Sequence, residues 1–78
     1  MPTQADLIRQ SLLASDPEYR KLAEEHTRCE EQLKEILEEP YRNSEDLAQE
    51  TILKKMKLRL RDQMEHLVHL HQHDVVHH

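Results

Sequence analysis

LKKMKLRLRDQM, residues 53–64, carries five basic side chains (Lys54, Lys55, Lys57, Arg59 and Arg61) within eight positions. Through the same stretch Leu53, Met56, Leu60 and Met64 recur at spacings of three and four, the period of one helix face. A helix built this way calls for a partner that is apolar on one side and acidic around it. The upstream segment has both properties. From Tyr19 the seam runs Tyr19, Leu22, His26, Cys29, Leu33 and Ile36, the a/d alternation of a coiled coil. Around that seam, residues 24–39 carry seven glutamates against Arg28 and Lys34.

Prolines set the ends of these elements. Pro17 pushes the residue before it out of the α conformation and itself suits a first helical turn. Asp16 is therefore the expected N-cap of a helix over residues 17–39. Pro40 cannot continue the hydrogen-bond ladder, so residues 40–44 form the expected turn. Asn43 or Ser44 then caps a second helix over 45–70, with Glu45 and Asp46 near its positive end. On that helix Ile52, Leu53, Met56, Leu60, Met64, Leu67, Val68 and Leu70 share one arc. Lys57 falls inside the arc with its stem along the seam, and Leu47 and Leu58 fall nearly opposite. Upstream, residues 1–15 form an arm whose good helix formers and Ile8–Leu12 spacing predict a short helix over 5–14. After Leu70 the pattern fades, and the His-rich residues 71–78 are expected to fray.

The predicted fold class is all-α: an antiparallel, coiled-coil-like helical hairpin over residues 16–70 with a short additional N-terminal helix. With the turn at Arg42–Asn43, position i lies across from about 85 − i in hairpin geometry. Leu33 then meets Ile52 or Leu53, Cys29 meets Met56, and Leu22 nears Met64. The predicted seam is Leu22, His26, Cys29, Leu33, Ile36, Leu53, Met56, Leu60 and Met64. Across it the basic run is expected to answer the glutamates, a pattern that also disfavours parallel pairing of like helices.

Composition agrees with this reading. The chain has 78 residues, no Gly, Trp or Phe, and 35% charged residues, the make-up of long helices. Without glycine, tight primed β-turns are hard to build, which argues against a sheet protein. A domain this small buries little surface alone, and Cys29 as the single cysteine precludes an intrachain disulfide. Self-association, with a homodimer first, is the expected remedy. One free thiol fits a reducing compartment. No basic start with an apolar run marks a signal peptide, and no stretch reaches the ~20 apolar residues of a membrane span. The expected location is the cytoplasm. A net charge of −5 weighs against a general nucleic-acid binder.

Two segments, DPEYRKLAEEH (Asp16–His26) and LKKMKLRLRD (Leu53–Asp62), resemble the YdcH-like family of small bacterial proteins of unknown function. The resemblance covers roughly Asp16 to Met64. Tyr19 stands at the family's usual aromatic position, and Leu22 and His26 keep their spacing from it. Leu53, Lys54, Lys57, Leu58, Leu60 and Asp62 keep theirs. Departures are Met56, where the family is often acidic, Arg61 in place of lysine, and Cys29 at a usually aliphatic position. Residues 1–15 and the His-rich end lie outside the resemblance. It implies a helical hairpin and no active site, cofactor or partner.

Candidate sites are few. His26 is the titratable side chain in the first seam, expected to bond across the hairpin and fix register, or to sense pH beside Lys57. Cys29 behaves as a small hydrophobe; His26 is one turn away, but nothing provides a pocket or oxyanion hole for a Cys–His nucleophile. No catalytic constellation or cofactor is expected, and the chain reads as a non-enzyme. His66, His69 and His73 have a spacing at which imidazoles share a metal ion, making metal binding one alternative function. Phosphate contacts by the basic run 54–61 make nucleic-acid accessory binding another. The preferred function is a protein-interaction or assembly module acting through helix faces. Leu47 and Leu58 would form its partner interface, extended by Tyr19.

Overall fold

The computed structural model describes the backbone of residues 1–76 and the side chains of residues 1–72. Three α-helices make up the described chain: α1 (Gln4–Ser15), α2 (Pro17–Glu38) and α3 (Ser44–Val76). No strand occurs among the described residues.

Each helix end has a local cause. Thr3, in extended conformation, starts α1 through a reciprocal pair. Its hydroxyl oxygen accepts from the Asp6 N–H at 3.1 Å, and its own N–H donates to the Asp6 carboxylate at 3.1 Å. Asp16 both ends α1 and starts α2. At φ −110° and ψ 108° it is extended, as the residue before a proline should be. Its N–H donates to the Leu12 carbonyl at 2.8 Å. Its carboxylate accepts from the N–H groups of Glu18 (2.9 Å) and Tyr19 (3.4 Å). Arg20 reaches back to donate to the Leu13 and Ala14 carbonyls, at 3.0 and 3.1 Å. It thereby serves the negative end of α1, whose last turn has no basic residue. Glu39, extended before Pro40, closes α2. Asn43 and Asp46 repeat the reciprocal cap at the start of α3, at 2.8 and 3.3 Å.

The helix expected over 45–70 is longer than its seam: α3 continues through residues 71–76 to Val76. HQHDVV contains no glycine or proline to stop the helix, and each added residue adds a backbone bond once a helix exists. Residues 77–78 lie outside the described residues.

Packing divides into two clusters. Ile8 and Leu12 of α1, Tyr19 of α2 and Val68 of α3 form one, with Met64 and Leu67 packed against it. Cys29 and Leu33 of α2 with Leu53 and Leu60 of α3 form the other, flanked by Leu22 and Ile36. The most extensive helix contact is between α2 and α3, and α1 packs on both. Met56 departs from its expected seam position: it is 46% exposed and belongs to neither cluster. Leu53 and Leu60, seven apart, take the inward line, and at about 100° per residue Met56 falls some 60° to one side of Leu53. Lys57, on the other side of that line, is half-buried instead. The molecule is a rod of 55 × 22 × 21 Å. No helix among the described residues is long and apolar enough to cross a membrane.

Candidate docking groove

A groove of about 1040 Å³ runs between α2 and α3, with Arg9 of α1 at one end. Its apolar lining comprises Tyr19, Leu33, Leu37, Leu58 and Met64. Leu37 is 52% exposed and Leu58 61%. Leu33 lies buried between the helices and reaches the groove with one surface. Leu47, also exposed, lies eleven residues before Leu58 and extends the same stripe of α3 toward the turn.

Charge decides the character of this groove. Among the described residues no ion pair joins α2 to α3, which corrects the expectation that the basic run answers the glutamates across the seam. Lys34 turns to Glu38 on its own helix at 4.0 Å. Lys54 turns to Glu50 on its own helix at 3.4 Å, where Arg42 also reaches at 3.5 Å. Arg9 crosses from α1 to α3, donating to Glu65 at 2.8 Å and to Asp6 at 3.0 Å. Lys57 and Arg61 line the groove and form no ion pair among the described residues. The run therefore splits, since Lys55 and Arg59 do not line the groove.

The titrating groups shift for identifiable reasons. The backbone N–H of Thr3, then its hydroxyl, holds the Asp6 carboxyl below its ordinary value of 3.8. Hydrogen bonding to Glu65 raises Arg9. Burial pushes the Tyr19 phenol above its ordinary 10.0, with Arg9 opposing and Glu65 adding.

Some expected site residues fall elsewhere. Tyr19 lines the groove but is only 2% exposed, because it packs with Ile8 and Leu12 of α1 and Val68 of α3, so it offers a partner little free surface. His26 does not bond across the helices; its Nδ1 lies 2.9 Å from the Glu30 carboxylate on its own α2, where an i,i+4 neighbour is the nearest acceptor. It does share the groove with Lys57. Cys29 is buried and free. His66 and His69 are exposed on α3, and the His73 side chain lies outside the described residues. Among the described residues, no three of His, Cys, Asp or Glu gather as a metal site. The groove is not legible on either helix alone, because Leu33 and Leu37 belong to α2 and Leu58 to α3, and only the packing of the two helices brings them to one trough. Leu37, four residues after Leu33, widens the α2 seam in the sequence pattern and lines the groove in the structure.

The chain matches no family model, no curated protein and no solved structure.

Proposed function

We propose that this chain is a non-enzymatic docking module that binds protein helices through the face around Leu58. Its scaffold is an antiparallel hairpin of α2 and α3. The two clusters support that direction: Tyr19, early on α2, gathers with Val68, late on α3, whereas Cys29 and Leu33, later on α2, gather with the earlier Leu53 and Leu60. Membership of the YdcH-like family, with its bacterial cytoplasmic setting, belongs to the same proposal. It draws support from Tyr19, Leu53 and Leu60, which the shared segments supply to the two clusters.

The observation that carries the docking reading is Leu58, 61% exposed in a groove between two helices that Leu37, 52% exposed, also lines. Surface leucines scattered singly are ordinary, whereas several lining one groove with polar rims are a feature of binding faces. Affinity capture from native lysate, comparing wild type with Leu58→Glu, tests it. The expected result is a bound protein, or self-association, lost in Leu58→Glu while circular dichroism shows unchanged helicity. Capture that is indifferent to Leu58 overturns the reading.

A further inference from the structure

We infer that the occupant of the groove is an acidic amphipathic helix supplied by another protein. Its apolar face would rest on Leu33, Leu37 and Leu58, and its carboxylates would pair with Lys57 and Arg61. The inference rests on the docking reading above and specifies the partner's chemistry.

Length and shape come first. The α2 lining runs from Tyr19 to Glu38, about 28 Å of helix at 1.5 Å per residue. That accommodates a guest helix of about five turns. Two helices flanking an apolar trough present the ridges against which a third helix packs, and the helix-in-groove mode reads its guest through anchors at i, i+3/i+4 and i+7.

Charge selects the guest. The groove carries five cations (Arg9, Lys34, Lys54, Lys57 and Arg61) and three carboxylates (Glu30, Glu38 and Glu65), in a chain of net charge −5. Arg9 and Lys34 are held by Glu65 and Glu38, and Lys54 by Glu50. Glu30 sits against His26. Lys57 and Arg61 flank Leu58 on the same helix with no acidic partner among the described residues. A guest bearing glutamates beside its apolar stripe supplies what these two cations lack.

A second copy fits less well. Groove against groove sets one cationic surplus on another, and like charges brought together disfavour a complex. The acidic outer face of α2 has no apolar stripe to insert: its one exposed large apolar side chain, Leu37, is already in the groove. The Ile52–Met56 strip of α3 is exposed, but Lys55 and Arg59 border it.

The test uses the full chain and fluorescently labelled synthetic peptides of about five helical turns. One set carries leucines at three–four spacing flanked by glutamate, and a matched set replaces each glutamate with lysine. Anisotropy titration at low ionic strength is expected to favour the acidic set by at least about tenfold, with affinity falling as salt is added. Lys57→Glu with Arg61→Glu is expected to reverse the preference. Salt dependence and peptide preference on the wild type keep the test valid even if that double variant fails to fold. Equal binding of both sets, no binding of any acidic peptide, or a wild-type dimer dispersed by Leu58→Glu overturns the inference. If Leu58-dependent capture survives any of these results, the docking reading stands and only the acidic guest falls.

Discussion

Tyr19 ties the three helices together, which its place at the start of a seam did not announce. Its ring is buried with Ile8 and Leu12 from α1 and Val68 from α3, beside the Arg9–Glu65 pair. Replacing a buried aromatic by alanine costs about 3–5 kcal/mol, a large share of the stability of any small domain. Tyr19→Ala is therefore expected to release α1, seen as a strongly lowered urea midpoint and rapid proteolysis near Ser15. Glu65→Gln should cost about 1 kcal/mol or less, because both partners of its ion pair are more than a third exposed to water. Equal losses in the two variants would mean that the ion pair, not the apolar cluster, holds α1. Tyr19 also sets an alkaline limit. Burial raises its folded value above 10.0, so the folded state keeps the phenolic proton more tightly than the unfolded chain. That contribution is complete below pH 10.0 and is lost as pH climbs through the raised folded value. The wild-type urea midpoint should fall relative to Tyr19→Phe over that window, and a constant difference between the two would contradict the argument.

Among the elements, the junction of α1 and α2 turns on one residue. Asp16 closes one helix with its N–H and opens the next with its carboxylate. Removing such a cap costs about 1 kcal/mol, and in a domain of this size that lowers the melting temperature by roughly 4–8 °C. Asp16→Ala should show that drop in a circular-dichroism melt, and Asp16→Asn should recover most of it. An unchanged melt in Asp16→Ala would show that Pro17 and Arg20 suffice for the junction. This junction is legible in the sequence because Pro17 constrains the backbone wherever it stands, as Pro40 does at the end of α2. Other features are not. The Thr3–Asp6 cap of α1 rests on local spacing alone and stands out little beside the weak apolar pattern of the arm. The exposure of Met56 depends on which of several adjacent apolar positions points inward, and a seam read over two turns does not resolve some 60° of rotation. The apolar seam of α3 stops near Leu70, yet a helix can outlast its seam when no residue breaks it. The failed cross-helix ion pairs are the most instructive case. Opposite charge on facing segments does not by itself make long side chains reach across, because Lys34 and Lys54 find carboxylates one turn away on their own helices. Lys57 and Arg61 consequently line the groove with no ion-pair partner among the described residues.

The whole molecule exposes more surface than its mass requires. A compact monomer of 9.4 kDa exposes about 5,000 Å², and this rod exposes 6275 Å². The excess, about 1,300 Å², is larger than the roughly 800 Å² each partner contributes to a standard interface. The rod is also unevenly held. The cluster of Ile8, Leu12, Tyr19 and Val68 closes one end, and that of Cys29, Leu33, Leu53 and Leu60 holds the middle. From residue 34 to residue 52 no side chain is buried, so the end of α2, the turn and the first two turns of α3 rest on half-buried Ile36 and on caps. Local opening costs least where apolar contacts are fewest. Hydrogen exchange should therefore be fastest, within the helices, over residues 34–38 and 47–52, and slowest around Cys29, Leu33, Leu53 and Leu60. Uniform protection along α2 and α3 would show instead that the two helices open only as one unit. The open end includes Leu37 and the start of the Leu47–Leu58 stripe, so a guest lying in the groove would bridge the weakly held turn to the well-held middle. Exchange over 34–38 and 47–52 should slow when an acidic amphipathic peptide is bound, while exchange at Ile8 and Leu12, beyond the groove, stays unchanged. Slowing that spread equally to α1 would mean the peptide stabilises the fold globally, as any ligand of the native state does, and would give no support to a bridge at the turn.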